Sequence, residues 1–228
     1  MLCVIINVAN TQIKILNDME KMKTPRRIAI IVGLLFLVST LTFMIGSKLI
    51  QSFLIDETQN KSPLILGVIL EIICGVAVVG IGVLMFPILK LFNKRLALGY
   101  IMFRVIECAI IIIGGIYLLS LLKLMWKYEM IIFVFTALGG LIFSYLLFLS
   151  KLIPRYLSGF GIIGYVVLFL GVVMDMFSIF HINDGAGMII YLPGGLFELF
   201  LPIWLFIKGF NSSAIASVYD RIENNIKK

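Results

Sequence analysis

The chain has 228 residues, of which 61% are hydrophobic and only 14% are charged, whereas a soluble domain of this size carries about 25% charged residues. This composition excludes a water-soluble globular protein, because so few polar side chains cannot cover its surface, and it predicts a protein embedded in lipid. The net charge of +7 does not indicate a nucleic-acid-binding protein, because the basic residues lie scattered at the ends of apolar runs.

Six apolar runs, taken in chain order, are each long enough to cross a bilayer, which requires about 20 mostly apolar residues. The runs lack the alternating pattern of a membrane β-barrel. The sequence therefore predicts an all-α polytopic membrane protein, a bundle of six transmembrane helices with short connections. The predicted spans are Ile28–Ile50, Pro63–Leu89, Leu96–Leu122, Met130–Leu149, Leu157–Phe180 and Met188–Ile207.

The lysine and arginine residues predict the orientation of this bundle. Fourteen of them fall on one side of the predicted membrane, four fall on the other side, and Arg104 lies within a span. Because cytoplasmic segments of membrane proteins are rich in Lys and Arg, both the N and C termini are predicted to be cytoplasmic. Trp126, Tyr128 and Tyr191 would then lie at the outer interface, and Tyr156 at the inner one.

The chain divides into one membrane domain and two short flanking segments. Residues 25–210 form the predicted transmembrane domain, residues 1–24 a cytoplasmic N-terminal segment, and residues 211–228 a short basic cytoplasmic tail. Met22, followed by basic residues, resembles a natural start. The residues before it are therefore interpreted either as the product of a misassigned start or as a short interfacial helix. A cleaved signal peptide is not expected, because no basic residue precedes the first apolar run.

Five ionisable residues lie inside the predicted spans, where a charge at the bilayer centre costs about 2.5–3.5 kcal/mol on insertion scales. Such side chains are expected to face the interior of the bundle and to find partners there. A rise of about 1.5 Å per residue places Arg104, Glu198 and Glu107 roughly 13, 15 and 18 Å from the cytoplasmic helix ends, near the midplane. The same rise places Glu71 and Asp175 at roughly 25 Å, nearer the outer face.

These residues predict a buried carboxylate–arginine cluster of Glu71, Arg104, Glu107 and Glu198, with Asp175 as an accessory member. Arg104 and Glu107 are three residues apart and share a helix face, so Arg104 is predicted to pair with Glu107, with Glu198 or with both. Four acids against one base leave surplus carboxyl groups, which must be protonated, bind a cation or face water. Two interpretations stay open: a proton- or cation-linked site, or a buried ion pair that sets helix register.

The sixth span carries helix-breaking residues around Glu198. Pro193 and two glycines precede it, and Pro202 follows it. A broken helix here would expose backbone groups beside the carboxylate, as in transporter sites built from discontinuous helices. Pro193 is interpreted instead as a residue of the first helical turn, where proline is tolerated, and Pro202 as a kink.

The sequence contains no motif for catalysis or for a cofactor. HExxH, GxSxG and P-loop patterns do not occur, and the three cysteines lack metal-binding spacing. His181, near Asp175 and Asp184, would make a poor metal site. Accordingly, no enzymatic activity, cofactor or metal is expected.

Several separated stretches resemble a known family of bacterial membrane proteins. They are residues 69–72 with 86–90, residues 96–100 with 103–107, residues 153–161, and residues 197–199 with 203–210. In this order they resemble the family known only as domain of unknown function 4386, over residues 22–211. The resemblance implies a six-span bacterial membrane protein and supplies no activity. The family's charged motifs are matched by Glu71, Arg104, Glu107 and Glu198, but not by Asp175.

Two functions fit these observations. The first is a proton- or cation-linked small-solute transporter in the bacterial inner membrane. The alternative is a non-transporting membrane partner or sensor whose buried charges are structural. An intramembrane enzyme acting on lipid ranks behind both, because no nucleophile or metal site is evident. The expected partners are the lipid bilayer and a small solute or cation, with no nucleic acid, while protein partners stay open.

Overall fold

The computed structural model describes residues 25–55, 60–123, 128–179, 182, 185–211 and 213–217. Within these residues the chain forms six long helices, one short 3₁₀ helix and a short helical segment at residues 213–217, with no strand. The predicted N-terminal segment lies outside the described residues, as do Trp126, His181 and most of the predicted tail. The helices are α1 (Pro25–Ile55), α2 (Ser62–Leu89), α3 (Lys94–Leu121), α4 (Tyr128–Ser150), α5 (Arg155–Met176) and α6 (Tyr191–Ile207), and the 3₁₀ helix Gly185–Ile190 leads into α6.

All six helices are long and apolar enough to cross a membrane, which confirms the predicted all-α six-helix bundle. The helix bounds differ from the predicted spans by one to five residues at most ends, and the largest differences are in α1 and α5. α1 extends beyond its predicted span at both ends, because polar residues such as Arg26 and Gln51 continue the helix past the apolar run. α5 ends before Phe180, because the chain turns at Ser178, which adopts a left-handed conformation with φ +57°.

Successive helices run in opposite directions, and α1 packs against both α2 and α6, so the bundle closes into a ring. At one end of the ring, a Cβ built on Gly46 of α1 would lie 2.8 Å from the carbonyl oxygen of Gly67 of α2. At the other end, Arg26 donates hydrogen bonds to the carbonyl oxygens of Phe206 (2.6 Å) and Ile207 (3.2 Å) at the end of α6. We call this second end, where α1, α3 and α5 begin, the basic end, and the first the distal end.

Small residues allow the helices to approach closely inside the bundle. A Cβ on Gly164 of α5 would lie 2.8 Å from the backbone nitrogen of Gly194 of α6, and one on Gly140 of α4 would overlap the Tyr165 ring. Such contacts let backbones and large rings pack directly against each other. Gly140 and Gly164 therefore mark places where α4, α5 and α6 pack closely.

The outward faces of the helices are apolar. Val76, Ile113 and Ile163, from three different helices, are each 60% exposed in the isolated chain. Aromatic side chains such as Phe143 and Phe197 are instead fully buried between the helices. A surface of this kind is stable in lipid rather than in water, and the bundle is therefore in contact with the bilayer.

Candidate functional site

The centre of the bundle holds a buried ion pair on α3. The guanidinium of Arg104 lies 2.7 Å from a carboxylate oxygen of Glu107, one turn along the helix. The other carboxylate oxygen of Glu107 accepts a hydrogen bond of 2.7 Å from the Thr136 hydroxyl of α4. The guanidinium also lies over the Tyr100 ring, 5.4 Å from its centroid. Both charged side chains are almost completely buried, so the predicted pairing of Arg104 with Glu107 is confirmed.

Glu198 of α6 lies in a second polar group, at the junction of three helices. One carboxylate oxygen accepts a hydrogen bond of 3.0 Å from the Tyr165 hydroxyl of α5. The other accepts one of 3.2 Å from the Thr40 hydroxyl of α1. In the described part of the chain no basic side chain reaches Glu198 within ion-pair distance, although Arg104 is near enough to act on it electrostatically. Glu198 is thus held by two neutral hydroxyls rather than by the predicted direct pair.

Proline adds a further oxygen acceptor beside this carboxylate. In a regular helix the amide of residue 202 would bond the carbonyl of residue 198, but proline has no N–H group. Pro202 lies inside α6, so the Glu198 carbonyl loses its regular helical donor. Pro193, by contrast, lies in the first turn of α6, as predicted, and the helix is not broken before Glu198.

Glu71 of α2 is buried separately from the ion pair. Its carboxylate accepts a hydrogen bond of 3.0 Å from the Tyr128 hydroxyl, which also lies 3.3 Å from the Ile111 carbonyl oxygen. Because Gly75 contacts Cys108 of α3, Glu71 lies one turn, about 6 Å, closer to the distal end than that contact. Tyr128 was predicted to face the outer interface, but its side chain is 3% exposed and points inward.

Asp175 does not join these groups. Its carboxylate accepts a hydrogen bond of 2.8 Å from the backbone amide of Ile182, beyond the end of α5. Asp175 therefore holds Ile182 close to the end of α5. The described contact of the Asp175 carboxylate is thus with the backbone just beyond α5, at the distal end of the bundle.

Three buried polar atoms near the centre have no hydrogen-bond partner within the described residues. They are the Tyr100 hydroxyl, the Nε of Arg104 and the Ser144 hydroxyl. Tyr100 stacks on Phe143, with ring centroids 4.9 Å apart, and Ser144 of α4 faces Gly161 of α5. All three are hydrogen-bonding groups buried close to the carboxylates, in addition to the hydroxyls that the carboxylates already engage.

Sequence reasoning found the charged members of the site and missed the neutral ones. The neutral members are the Tyr100 ring beneath Arg104, the Thr136 hydroxyl bonded to Glu107, and the Tyr165 and Thr40 hydroxyls bonded to Glu198. A signal was available for Tyr100 and Tyr165, because a tyrosine in the middle of an apolar span needs a partner for its hydroxyl. The threonines carry no such signal, because threonine is common in membrane helices, where its hydroxyl can bond the preceding turn.

The site contains oxygen ligands but no cluster suited to a transition metal. Within the described residues, no three His, Cys, Asp or Glu side chains come together in a way that would hold a metal ion. The groups around Glu198 are carboxylate, hydroxyl and carbonyl oxygens, which suit a proton or a hard cation.

Comparisons with known proteins assign a family but no activity. No curated protein and no solved structure matches the chain. A family profile matches residues 31–209, a range that contains Glu71, Arg104, Glu107 and Glu198, and covers most of the chain. The chain therefore belongs to the family described as domain of unknown function (DUF4386).

Proposed function

We propose that the chain transports a small solute or ion across the inner membrane of a bacterium, coupled to a proton or cation that binds at Glu198. The observation that carries this proposal is the environment of the Glu198 carboxylate. It lies in the apolar bundle, it is held by the neutral hydroxyls of Tyr165 and Thr40, and the Glu198 carbonyl beside it has lost its helical donor to Pro202. Carboxylates in such positions characterise ion pathways and proton relays.

The division of partners between the two central carboxylates supports this assignment. Glu107 accepts from the charged guanidinium of Arg104 at one oxygen and from the Thr136 hydroxyl at the other, each at 2.7 Å. Glu198 receives no cation at ion-pair distance from the described residues. A carboxylate with hydroxyl donors alone binds and releases a proton or cation more readily than one bonded to a guanidinium. Of the two carboxylates, Glu198 is therefore the better candidate for the group that binds and releases the coupled proton or cation.

The position of Glu198 between helices also fits coupling to a conformational change. Its two hydroxyl partners come from α1 and α5, while the carboxylate itself comes from α6. Occupation of the site by a cation would change the contacts of all three helices at once. Relative movement of helices around a fixed midplane site is how secondary transporters expose it to alternate sides.

The test is flux through the purified chain in proteoliposomes. Proton movement is followed with an internal pH-sensitive dye under imposed Na⁺, K⁺ and solute gradients, and flux is expressed per inserted molecule. Glu198→Gln is expected to lower coupled flux at least tenfold, because it removes the negative charge but keeps the shape. Asp175→Asn, which removes an acid engaged in a local turn contact, is the matched control and is expected to retain the flux.

Two outcomes would refute the proposal. One is the absence of flux for protons, cations and a broad solute panel. The other is a Glu198→Gln protein whose abundance collapses while its flux per molecule is unchanged, because that result assigns the carboxylate a structural role.

A second candidate function is a membrane partner or sensor without transport activity. It is favoured by the Arg104–Glu107–Thr136 network, in which each carboxylate oxygen has a partner, as expected for a pair that sets helix register. This function predicts stable co-purification of another protein, which would be lost on changing surface residues and retained on changing the central cluster.

A further inference from the structure

A basic cavity opens at the basic end of the bundle, between the α4–α5 connection and the end of α6. Its volume is about 500 Å³. Lys151, Arg155 and Lys208 line it and are exposed, and none of its described lining residues is acidic. Three cations around one cavity give it a positive potential that is complementary to an anion.

The backbone at this cavity also favours an anion. No side chain caps the start of α5, which follows Pro154. The Leu157 amide bonds the Pro154 carbonyl, and the two amides before it, of Arg155 and Tyr156, have no intrahelical acceptor. These amides and the positive end of the helix dipole attract phosphate. The end of α6, whose carbonyls would repel an anion, is already covered by the Arg26 guanidinium.

An apolar groove adjoins the cavity along the outer faces of α5 and α6. Its volume is about 590 Å³, and it is lined by side chains such as Phe160, Phe200 and Ile203. Trp204 and Lys208 line both the cavity and the groove, so the two are continuous. Trp204 also packs edge-on against Tyr156, with ring centroids 6.4 Å apart, an aromatic pair of the kind found where membrane meets water.

We propose that this surface binds one anionic glycerophospholipid, with the phosphate in the basic cavity and an acyl chain in the apolar groove. The continuity of a cationic cavity with an apolar groove matches an amphiphile whose charge lies at one end. Basic pockets between membrane helices bind anionic headgroups in this way. The proposal does not depend on transport, because none of the lining residues belongs to the central polar cluster.

The test compares two lipids with identical acyl chains. The purified full chain is mixed in detergent with dioleoyl phosphatidylglycerol or dioleoyl phosphatidylcholine, and bound lipid is counted by native mass spectrometry. Phosphatidylglycerol is expected to bind at least about tenfold more tightly, since each basic residue near a headgroup contributes appreciably. The combined substitution Lys151→Gln/Arg155→Gln/Lys208→Gln is expected to abolish this preference. Equal binding of the two lipids by the wild type would overturn the proposal.

A matched control separates the cavity from general attraction to a basic surface. Arg27→Gln/Lys94→Gln/Arg95→Gln removes three exposed charges at the same end without touching the cavity, and it is expected to keep the preference. An equal loss in this control would show a diffuse effect and overturn the assigned site. If the cavity variant does not fold, the wild type alone is decisive: 1 M salt should reduce its preference for phosphatidylglycerol, and an unchanged preference refutes the charge argument.

Further arms identify the occupant. Ile203→Trp, which fills the groove, should weaken retention of phosphatidylglycerol. Unchanged retention would show that no acyl chain binds in the groove and would overturn that part of the proposal. Inorganic phosphate at millimolar concentration should not displace the lipid, and complete displacement would indicate a free-anion site instead. A lipid-insensitive dimer whose contact is lost in the Ile203→Trp variant would assign the groove to a second copy of the chain.

Discussion

Replacing Arg104 by methionine would leave the Glu107 carboxylate buried, with the Thr136 hydroxyl as its remaining hydrogen-bond partner. An uncompensated charge at this depth is unfavourable by about 2.5 kcal/mol on insertion scales. Replacing Glu107 by glutamine instead leaves the Arg104 guanidinium buried over the Tyr100 ring without its counter-ion. The free energy of unfolding is expected to fall by a similar amount. The double variant contains neither charge, so its free energy of unfolding is expected to stay close to that of the wild type. The coupling energy between the two sites should therefore be about 5 kcal/mol, the sum of the two single losses.

The free energy of unfolding can be followed in mixed micelles of increasing denaturing detergent. Cys74 is 6% exposed in the folded chain, so its reaction with a thiol-specific fluorophore reports opening of the bundle. A Cys3→Ser background limits the signal to Cys74 and Cys108 in the helices. Arg95→Met, which removes an exposed charge, is the control and should change stability by less than about 0.5 kcal/mol. Additive losses in the double variant would refute the idea that the two charges neutralise each other.

Two further predictions concern packing and orientation. Gly140→Ala should destabilise the bundle by about 1–3 kcal/mol, because the new methyl would overlap the Tyr165 ring, whereas Gly159→Ala, with no atom within 4 Å of its Cβ, should be neutral or stabilising by up to about 1 kcal/mol. The same unfolding assay measures both, and equal effects would contradict the packing argument. Reporter proteins fused to the N and C termini should both be active in the cytoplasm, and activity of either fusion outside it would refute the predicted orientation.

The six helices could be predicted from the sequence because the signal for a membrane span is strong and local. About 20 apolar residues in a row have few alternatives in a folded protein. The ends of the helices were less predictable, because they depend on single contacts. α5 stops at Met176, where the Asp175 carboxylate captures the Ile182 amide. Hydropathy does not register a contact of this kind.

The charged members of the site could be predicted for a similar reason. A glutamate or arginine inside an apolar run is anomalous wherever it occurs, and the spacing of Arg104 and Glu107 brings them together within one helix. Glu198 illustrates the limit, because its partner Thr40 is 158 residues away in the chain. Which of several helices lies beside α6 is decided by packing of small and large side chains. Charge pattern alone therefore left Glu107 and Glu198 both open as partners of Arg104, and the structure contains the ion pair with Glu107.

Tyr128 was predicted to lie at the outer interface, but its contact with Glu71 was not predicted. It lies at the start of α4, near the membrane surface, where tyrosine is common. Its side chain nevertheless turns inward to the Glu71 carboxylate, because Gly114 of α3 leaves room for the ring. The interior acid and the glycine on a neighbouring helix together determine this orientation, and neither lies near Tyr128 in sequence.

The placement of Arg104 and Glu107 on one helix has a consequence for biogenesis. A helix that carries its own counter-ion enters the membrane already neutralised, so α3 needs no later helix to make it insertable. Glu198, in contrast, arrives with the last of the six long helices, after its hydroxyl partners on α1 and α5 have been synthesised. The same helix brings the carbonyls that Arg26 binds when the ring closes. Completion of the polar site and closure of the bundle thus occur in one step, and a partly inserted chain lacks a complete set of contacts around Glu198.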